Sequence, residues 1–223
     1  MGRLTLRTGR PRPQFIAGAK RSRHRVSMNP FQPRDGSDVV ELVRAYPLCW
    51  VMSGDASDRY ARPLPLLPEQ DSEGYLISLF GHMARSNPQQ KALERDSRAT
   101  ILCMGPQGYI SPRLVSNPTW GPTWNYAVCR FETEVRFVPE ETEEAVWRLA
   151  AALEGAGFES WTPERMGERY HQLKQRIVAF RAKVLETHAR FKLGQDENDI
   201  VFEDIVDGLG DRALADWMSR TRG

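Results

Sequence analysis

The residues best placed to do chemistry lie in Gly81-His-Met-Ala-Arg-Ser-Asn-Pro-Gln-Gln-Lys-Ala-Leu. Asn87 is a good helix N-cap, and Pro88 suits the first helical position, where a missing N–H costs nothing. A strand therefore runs into a helix start, with Ser86 and Asn87 at the cap and Arg85 beside them. Unpaired N–H groups next to a guanidinium fork make a phosphate site. A plainer reading stands beside it, in which Asn87 only caps and Arg85 is a solvated charge. His82, at the strand end, is the one histidine of the β-rich half. It can serve as a general acid or base, or as an axial iron ligand. A lone histidine is more often structural, and nothing nearby forces either role.

The second concentration is Tyr109-Ile-Ser-Pro followed by Trp120-Gly-Pro-Thr-Trp-Asn-Tyr. Two tryptophans and a tyrosine broken by Gly and Pro make a poor core strand. They suit a rigid wall on which a planar ring stacks, with Thr123 and Asn125 supplying hydrogen bonds. An aromatic cluster at a dimer interface is the alternative, and the two agree if the pocket lies between subunits. The chain has no glycine-rich phosphate loop, no Gly-x-Ser-x-Gly, no metal-binding histidine pair and no defensible Ser/His/Asp set. Cys49, Cys103 and Cys129 are too few and odd in number for a disulfide scaffold, and they fit no zinc spacing. Each is expected to be a buried small apolar residue in a protein of a reducing compartment.

These groups need elements to hold them. Val39, Leu42, Val43 and Tyr46 recur at helical spacing over 36–46, with Ser37 or Asp38 as cap and Pro47 as stop. Short strands are expected at 48–52, 75–81 and 99–104, the last ended by Gly105-Pro106. Residues 62–67 read as an edge segment, because Pro63 and Pro65 donate nothing to a ladder. A short helix is expected at 87–95, a further extended stretch from Tyr109, and a long strand or bent pair over 123–138. Helices follow at 141–154, 163–176, 199–208 and 211–219, while 177–184 fits strand or helix equally. The pattern is α+β: a barrel of six or seven mainly antiparallel strands, one inserted short helix and a helical C-terminal third.

The formal charge of +2 hides an asymmetry. Residues 1–27 hold eight Lys/Arg and no acid, leaving 23 basic against 29 acidic side chains in 28–223. The arm reads as a start placed upstream of the true one, a disordered nucleic-acid tail or a transit-like segment. Residues 28–223 are expected to form a single domain. Its acidic balance argues against a broad duplex-binding surface, and its apolar runs are too short to span a membrane.

Four ordered blocks carry a resemblance. They are Gly81-His82-x-Ala84-Arg85-x-Asn87-Pro88, Gly105-Pro106-x-x-Tyr109-Ile110-Ser111-Pro112, Pro122-Thr123-Trp124-Asn125-Tyr126 and Phe191-Lys192-Leu193-x-Gln195. Together they resemble the PaiB family, known as FMN-binding negative transcriptional regulators, from about Pro30 to about Leu209. The resemblance implies the FMN-binding split β-barrel shared with pyridoxamine-phosphate oxidases, a cytoplasmic homodimer with flavin at the subunit interface. Carried over by position, Arg85, Ser86 and Asn87 would hold the flavin phosphate. Tyr109, Ser111, Thr123, Trp124 and Asn125 would line the ring, and Lys192 and Gln195 would close the site.

The chain departs from the family pattern on the ligand side. Arg62-Pro63 stands where relatives often have Thr-His, and Arg113-Leu114-Val115 replaces Ser-Trp-Tyr. Gln90 replaces a Trp, and Asp196-Glu197 replaces Asn-Arg. Piperazate synthases resemble PaiB proteins and use haem, so the alternative is a haem b enzyme with His82 as ligand. The leading expectation is an FMN-binding regulator of PaiB type, with flavin-dependent oxidoreductase activity left open. No basic recognition helix is visible, so direct DNA contact would fall to the arm.

Overall fold

The computed structural model describes residues 30–54, 59–155, 157 and 159–222. The basic arm, and with it every reading of 1–27, lies outside the described residues. Six antiparallel strands form one closed barrel: β1 (Leu48–Ser53), β2 (Tyr60–Gln70), β3 (Leu76–Ala84), β4 (Arg98–Ile110), β5 (Thr123–Phe137) and β6 (Ile177–Lys192). Their spatial order is β1-β2-β3-β6-β5-β4, and β1 pairs with β4 to close the ring. Alternation selects the inner face. Cys49 and Val51 of β1, Leu79 and Met83 of β3, and Ala127, Cys129 and Phe131 of β5 are buried in one core.

The expected architecture stands, with local corrections. Gly105-Pro106 does not end a strand. It forms a bulge between Met104 and Gln107, and β4 runs on to Ile110. The proline segment is an edge only by halves. Tyr60 to Pro65 pair with β1 alone and Leu66 to Gln70 with β3 alone, so Pro63 and Pro65 each need satisfy one neighbour. Residues 177–184 belong to a sixteen-residue strand. Gly81 is required by close approach, since a Cβ there would lie 2.6 Å from Leu66 Cδ2 and 2.8 Å from the Pro65 carbonyl oxygen.

Helix α1 (Gly36–Ala45) is capped by Asp35, whose side chain accepts from Ser37 N, not by Ser37 or Asp38. Asp38 is buried and paired with Arg34 at 2.9 Å. Helix α2 is Pro88–Arg95, α3 is Thr142–Glu154, α4 is Glu168–Lys174, α5 is Asp199–Gly208 and α6 is Arg212–Arg222. The helix expected over 163–176 splits into a 3₁₀ turn (Pro163–Met166) and α4 because Gly167 adopts φ +56°. Leu42 of α1 and Leu214, Trp217 and Met218 of α6 join the barrel core. Helix α3 lies instead on the outer wall, where Phe80, Val138, Ala145 and Ala179 form a second small core.

The cysteine expectation is corrected. Trp50 faces Leu102 across β1 and β4, so the next inward pair is Cys49 and Cys103, and they form a disulfide with Cα atoms 4.4 Å apart. Only the closure of β1 on β4, 54 residues apart in sequence, brings them together. Cys129, opposite Cys103 on β5, is free and buried, and burial pushes its thiol up to about 12. It meets the expectation of a buried apolar residue. Among the described residues no helix is long and apolar enough to cross a membrane.

Candidate functional site

Strand β3 points Ser78, Phe80 and His82 outward, and α3 and α4 cover part of that wall. Phe80 anchors the cover. The guanidinium carbons of Arg148 on α3 and Arg181 on β6 sit 4.7 and 4.4 Å from its ring centre, and Glu69 of β2 binds both, at 2.8 and 2.9 Å. Burial raises the Glu69 carboxyl, but the hydrogen bonds and charge of the two arginines outweigh it, so the group titrates below its usual range. Glu141 also pairs with Arg181. This clamp fixes α3 against three strands.

Beside the clamp lies a cleft of about 440 Å³. His82 and Ile177 belong to its barrel wall, Val146 comes from α3, and Met166, Tyr170 and Leu173 complete the roof. His82 Nδ1 is buried without a hydrogen-bond partner, and burial lowers the imidazole's affinity for a proton. The group is therefore held toward the neutral form, with one buried ring nitrogen left unsatisfied. Ser86, Lys174 and Arg176 stand at the mouth. Arg85 is exposed at an adjoining hollow of about 230 Å³ that shares Lys174.

The helix start is tightly organised. Asn87 Oδ1 accepts from Gln89 N at 3.0 Å, the Asn87 carbonyl from Gln90 N, and Arg85 N donates to the Arg176 carbonyl at 2.8 Å. Buried Gln89 ties α2 to β1 through Val51 O at 2.9 Å and Ser53 Oγ at 3.1 Å. Asn87 is thus occupied as a cap. What remains available to an anion is the Arg85 guanidinium and the exposed Ser86.

The other candidate residues gather at the far end of β4, β5 and β6. Tyr109 and Trp124 are about half exposed, with ring centres 6.0 Å apart and planes at 59°. Trp124 Nε1 donates to Gln107 Oε1 at 2.7 Å. Lys192 Nζ donates to Thr123 Oγ1 at 2.5 Å and to the Trp124 carbonyl at 3.1 Å. Ser111 caps the 3₁₀ turn after β4 by accepting from Arg113 N. Gln195 is engaged locally, donating to the Phe191 carbonyl and accepting from Leu193 N. Asn125 faces the opposite way from Trp124. It is buried beneath α6, its Nδ2 3.5 Å from Met218 Sδ and its Oδ1 unpartnered. Glu197, one of the departures, accepts from Trp120 Nε1 at 3.0 Å.

One chain does not bring the two groups together. His82 pairs with Ala179 near the start of β6, whereas Lys192 ends that strand. The thirteen-residue separation along β6 corresponds to roughly 40 Å of strand. The sequence reading missed the roof of the His82 cleft. Its signal was present, since Met166, Tyr170 and Leu173 recur at i, i+4 and i+7.

An antiparallel six-stranded barrel with helices on its wall, a partly buried histidine held toward its neutral form and an exposed Arg85 beside Lys174, Glu140 and Glu143 is the architecture to be matched with known proteins. Residues 27–186 match the family model described as "Putative FMN-binding domain", and the chain belongs to that family. It is 24% identical to the "Protease synthase and sporulation protein PAI 2" of Bacillus subtilis, covering 80% of this chain and 86% of that protein. The PaiB resemblance is thereby borne out. Among solved structures, the FAD and haem binding protein of Mycobacterium smegmatis aligns with a TM-score of 0.54 at 13% identity, over 79% of this chain and 80% of that one. The flavocytochrome Anf3 of Azotobacter vinelandii gives 0.55 at 12% identity, over 71% and 68%. At these identities the structural likeness speaks for the fold alone.

Proposed function

We propose that the chain is a homodimeric FMN-binding protein of PaiB type that acts as a flavin-dependent redox protein. The observation that carries the reading is the orphaned His82 Nδ1 in an apolar cleft whose mouth adjoins the exposed Arg85 and Ser86. A buried polar atom left unpaired costs stability unless a ligand completes it. Arg85 and Ser86 would hold the phosphate, and His82 would meet a polar edge of the cofactor. Bound FMN supplies one- or two-electron redox chemistry.

A second copy of the chain completes the site. The stacking surface of Tyr109 and Trp124 lies on the outer wall, as do exposed Leu48, Trp50 and Met104 of β1 and β4. An exposed apolar face of this kind favours a symmetric interface. In such a dimer the aromatic end of one chain serves the Arg85 end of the other, which a single chain cannot do.

Haem is a second reading, favoured by the same neutral imidazole and by Met166 in the same cleft. Direct DNA contact has no comparable support, and the regulator label rests on the family's name.

The test is titration of purified protein with FMN, riboflavin and haem, followed by flavin fluorescence and by the Soret region. FMN is expected to bind more tightly than riboflavin. Arg85→Ala should weaken FMN by about ten- to a hundredfold and riboflavin little, as loss of a charged hydrogen bond predicts. Equal binding of FMN and riboflavin by the unaltered protein would refute the phosphate assignment. A Soret band lost in His82→Ala, with no flavin uptake, would establish the haem reading instead.

A further inference from the structure

A separate cavity of about 640 Å³ opens further along β3, where β3, β6 and β5 lie side by side. The register explains what gathers there. Ser78 faces Lys183, which faces Glu134, and Phe80 faces Arg181, which faces Arg136. Arg181 and Arg136 are therefore like charges directly opposite one another, an arrangement that destabilises a sheet unless it is offset. Arg181 is offset by Glu69 and Glu141. Arg136 is not. Among the described residues neither Arg136 nor Lys183 has an ion pair or a side-chain hydrogen bond. Glu134, the acid on the lining, lies 3.5 Å from Ser97 Oγ.

A further group points into the same space. Ser78 is 8% exposed, and its Oγ has no hydrogen-bond partner. A buried hydroxyl left unpaired is an uncompensated desolvation, and it can donate to an oxyanion as readily as accept. Ile77 and Val135 give the cavity an apolar side. An uncompensated guanidinium fork, an ammonium and an orphaned hydroxyl around one hollow are the donor set of a phosphate. Phe80 and its paired arginines separate this hollow from the His82 cleft.

We propose that this cavity binds the phosphate group of a small organic phosphate ester, whose apolar part rests on Ile77 and Val135. The assignment stands apart from the flavin reading, because it uses none of the same residues. Arg136 and Lys183 grip the phosphate oxygens, and Ser78 donates to one of them. Bound anion removes the repulsion between Arg136 and Arg181.

Phenyl phosphate is the probe, measured by calorimetry at fixed ionic strength, with benzoate as the carboxylate comparison. Phenyl phosphate should bind more tightly than benzoate. Arg136→Ala and Lys183→Ala should each weaken it by about tenfold or more, and Ser78→Ala by about threefold. Arg136→Lys, which keeps charge but loses the fork, should fall between wild type and Arg136→Ala. Arg85→Ala, which removes the flavin-phosphate corner as a competing site, should leave the binding that depends on Arg136 and Lys183 in place. Urea midpoints confirm that each variant is folded: none should fall far below wild type, and Arg136→Ala, which removes the repulsion with Arg181, should lie at or above it. The proposal is overturned if phenyl phosphate does not bind, if Arg136→Ala and Lys183→Ala bind it as wild type does, or if Arg85→Ala abolishes it. Benzoate binding as tightly as phenyl phosphate would overturn the phosphate assignment.

Discussion

The two ends of β6 hold opposite kinds of surface. Near Ala179 the wall is roofed and largely apolar, the Nδ1 of its imidazole lacks a partner among the described residues, and Arg85 is exposed. Near Lys192 most polar groups are bound to each other, Lys192 to Thr123, Gln195 to Phe191 and Leu193, and Trp124 to Gln107; Asn125 Oδ1 is unpartnered but buried, and the aromatic faces of Tyr109 and Trp124 are bare. One end can recognise charge and hydrogen bonding; the other can offer stacking. A cofactor with an anionic tail and a planar ring needs both, so the molecule's two half-sites are complementary across copies and not within one.

The sharpest way to break this comparison is complementation. Arg85→Ala and Trp124→Ala chains should each bind FMN poorly alone. Mixed and allowed to exchange, a symmetric dimer recovers native-affinity binding in about a quarter of its sites, because half the dimers are mixed and each has one intact site. Fluorescence titration of the mixture checks this, and no recovery would mean that each chain binds alone. A smaller effect comes from Gly81→Ala, which pushes a methyl into Leu66 and the Pro65 carbonyl on the His82 end only. The expected cost is about 1–3 kcal/mol of stability, read from the urea midpoint, with Tyr109 and Trp124 undisturbed in near-UV circular dichroism.

The smallest effect is a pH dependence. The folded state lowers the proton affinity of His82 below the ordinary 6.5, so the unfolded chain takes up the proton first. The neutral imidazole's contribution is complete above that value and declines as pH falls below it toward the folded value. His82→Gln should flatten the decline in stability between about pH 7 and 5. An unchanged profile would place the loss elsewhere, beginning with Glu69, whose contribution fails at lower pH as its carboxylate protonates.

Much of this was legible along the chain because it is local. The Asn87-Pro88 helix start, the long strand from Thr123 and the closing helices each follow from capping, alternation or helical spacing within a dozen residues. Asp35, Ser37 and Asp38 are equally good caps by type, and only the backbone turn chooses Asp35 among them. The roof over His82 was written in Met166, Tyr170 and Leu173, yet nothing local says which surface that stripe would cover.

The sequence by itself determined the barrel with its helical third and the chemistry available at each end, since composition and periodicity act over short stretches. Tertiary structure alone decided that Cys49 meets Cys103, that Asn125 turns inward while Trp124 turns out, and that His82 keeps a buried, unsatisfied nitrogen. Each depends on register between strands far apart in the chain, and a shift of one residue would turn every one of those side chains to the other face.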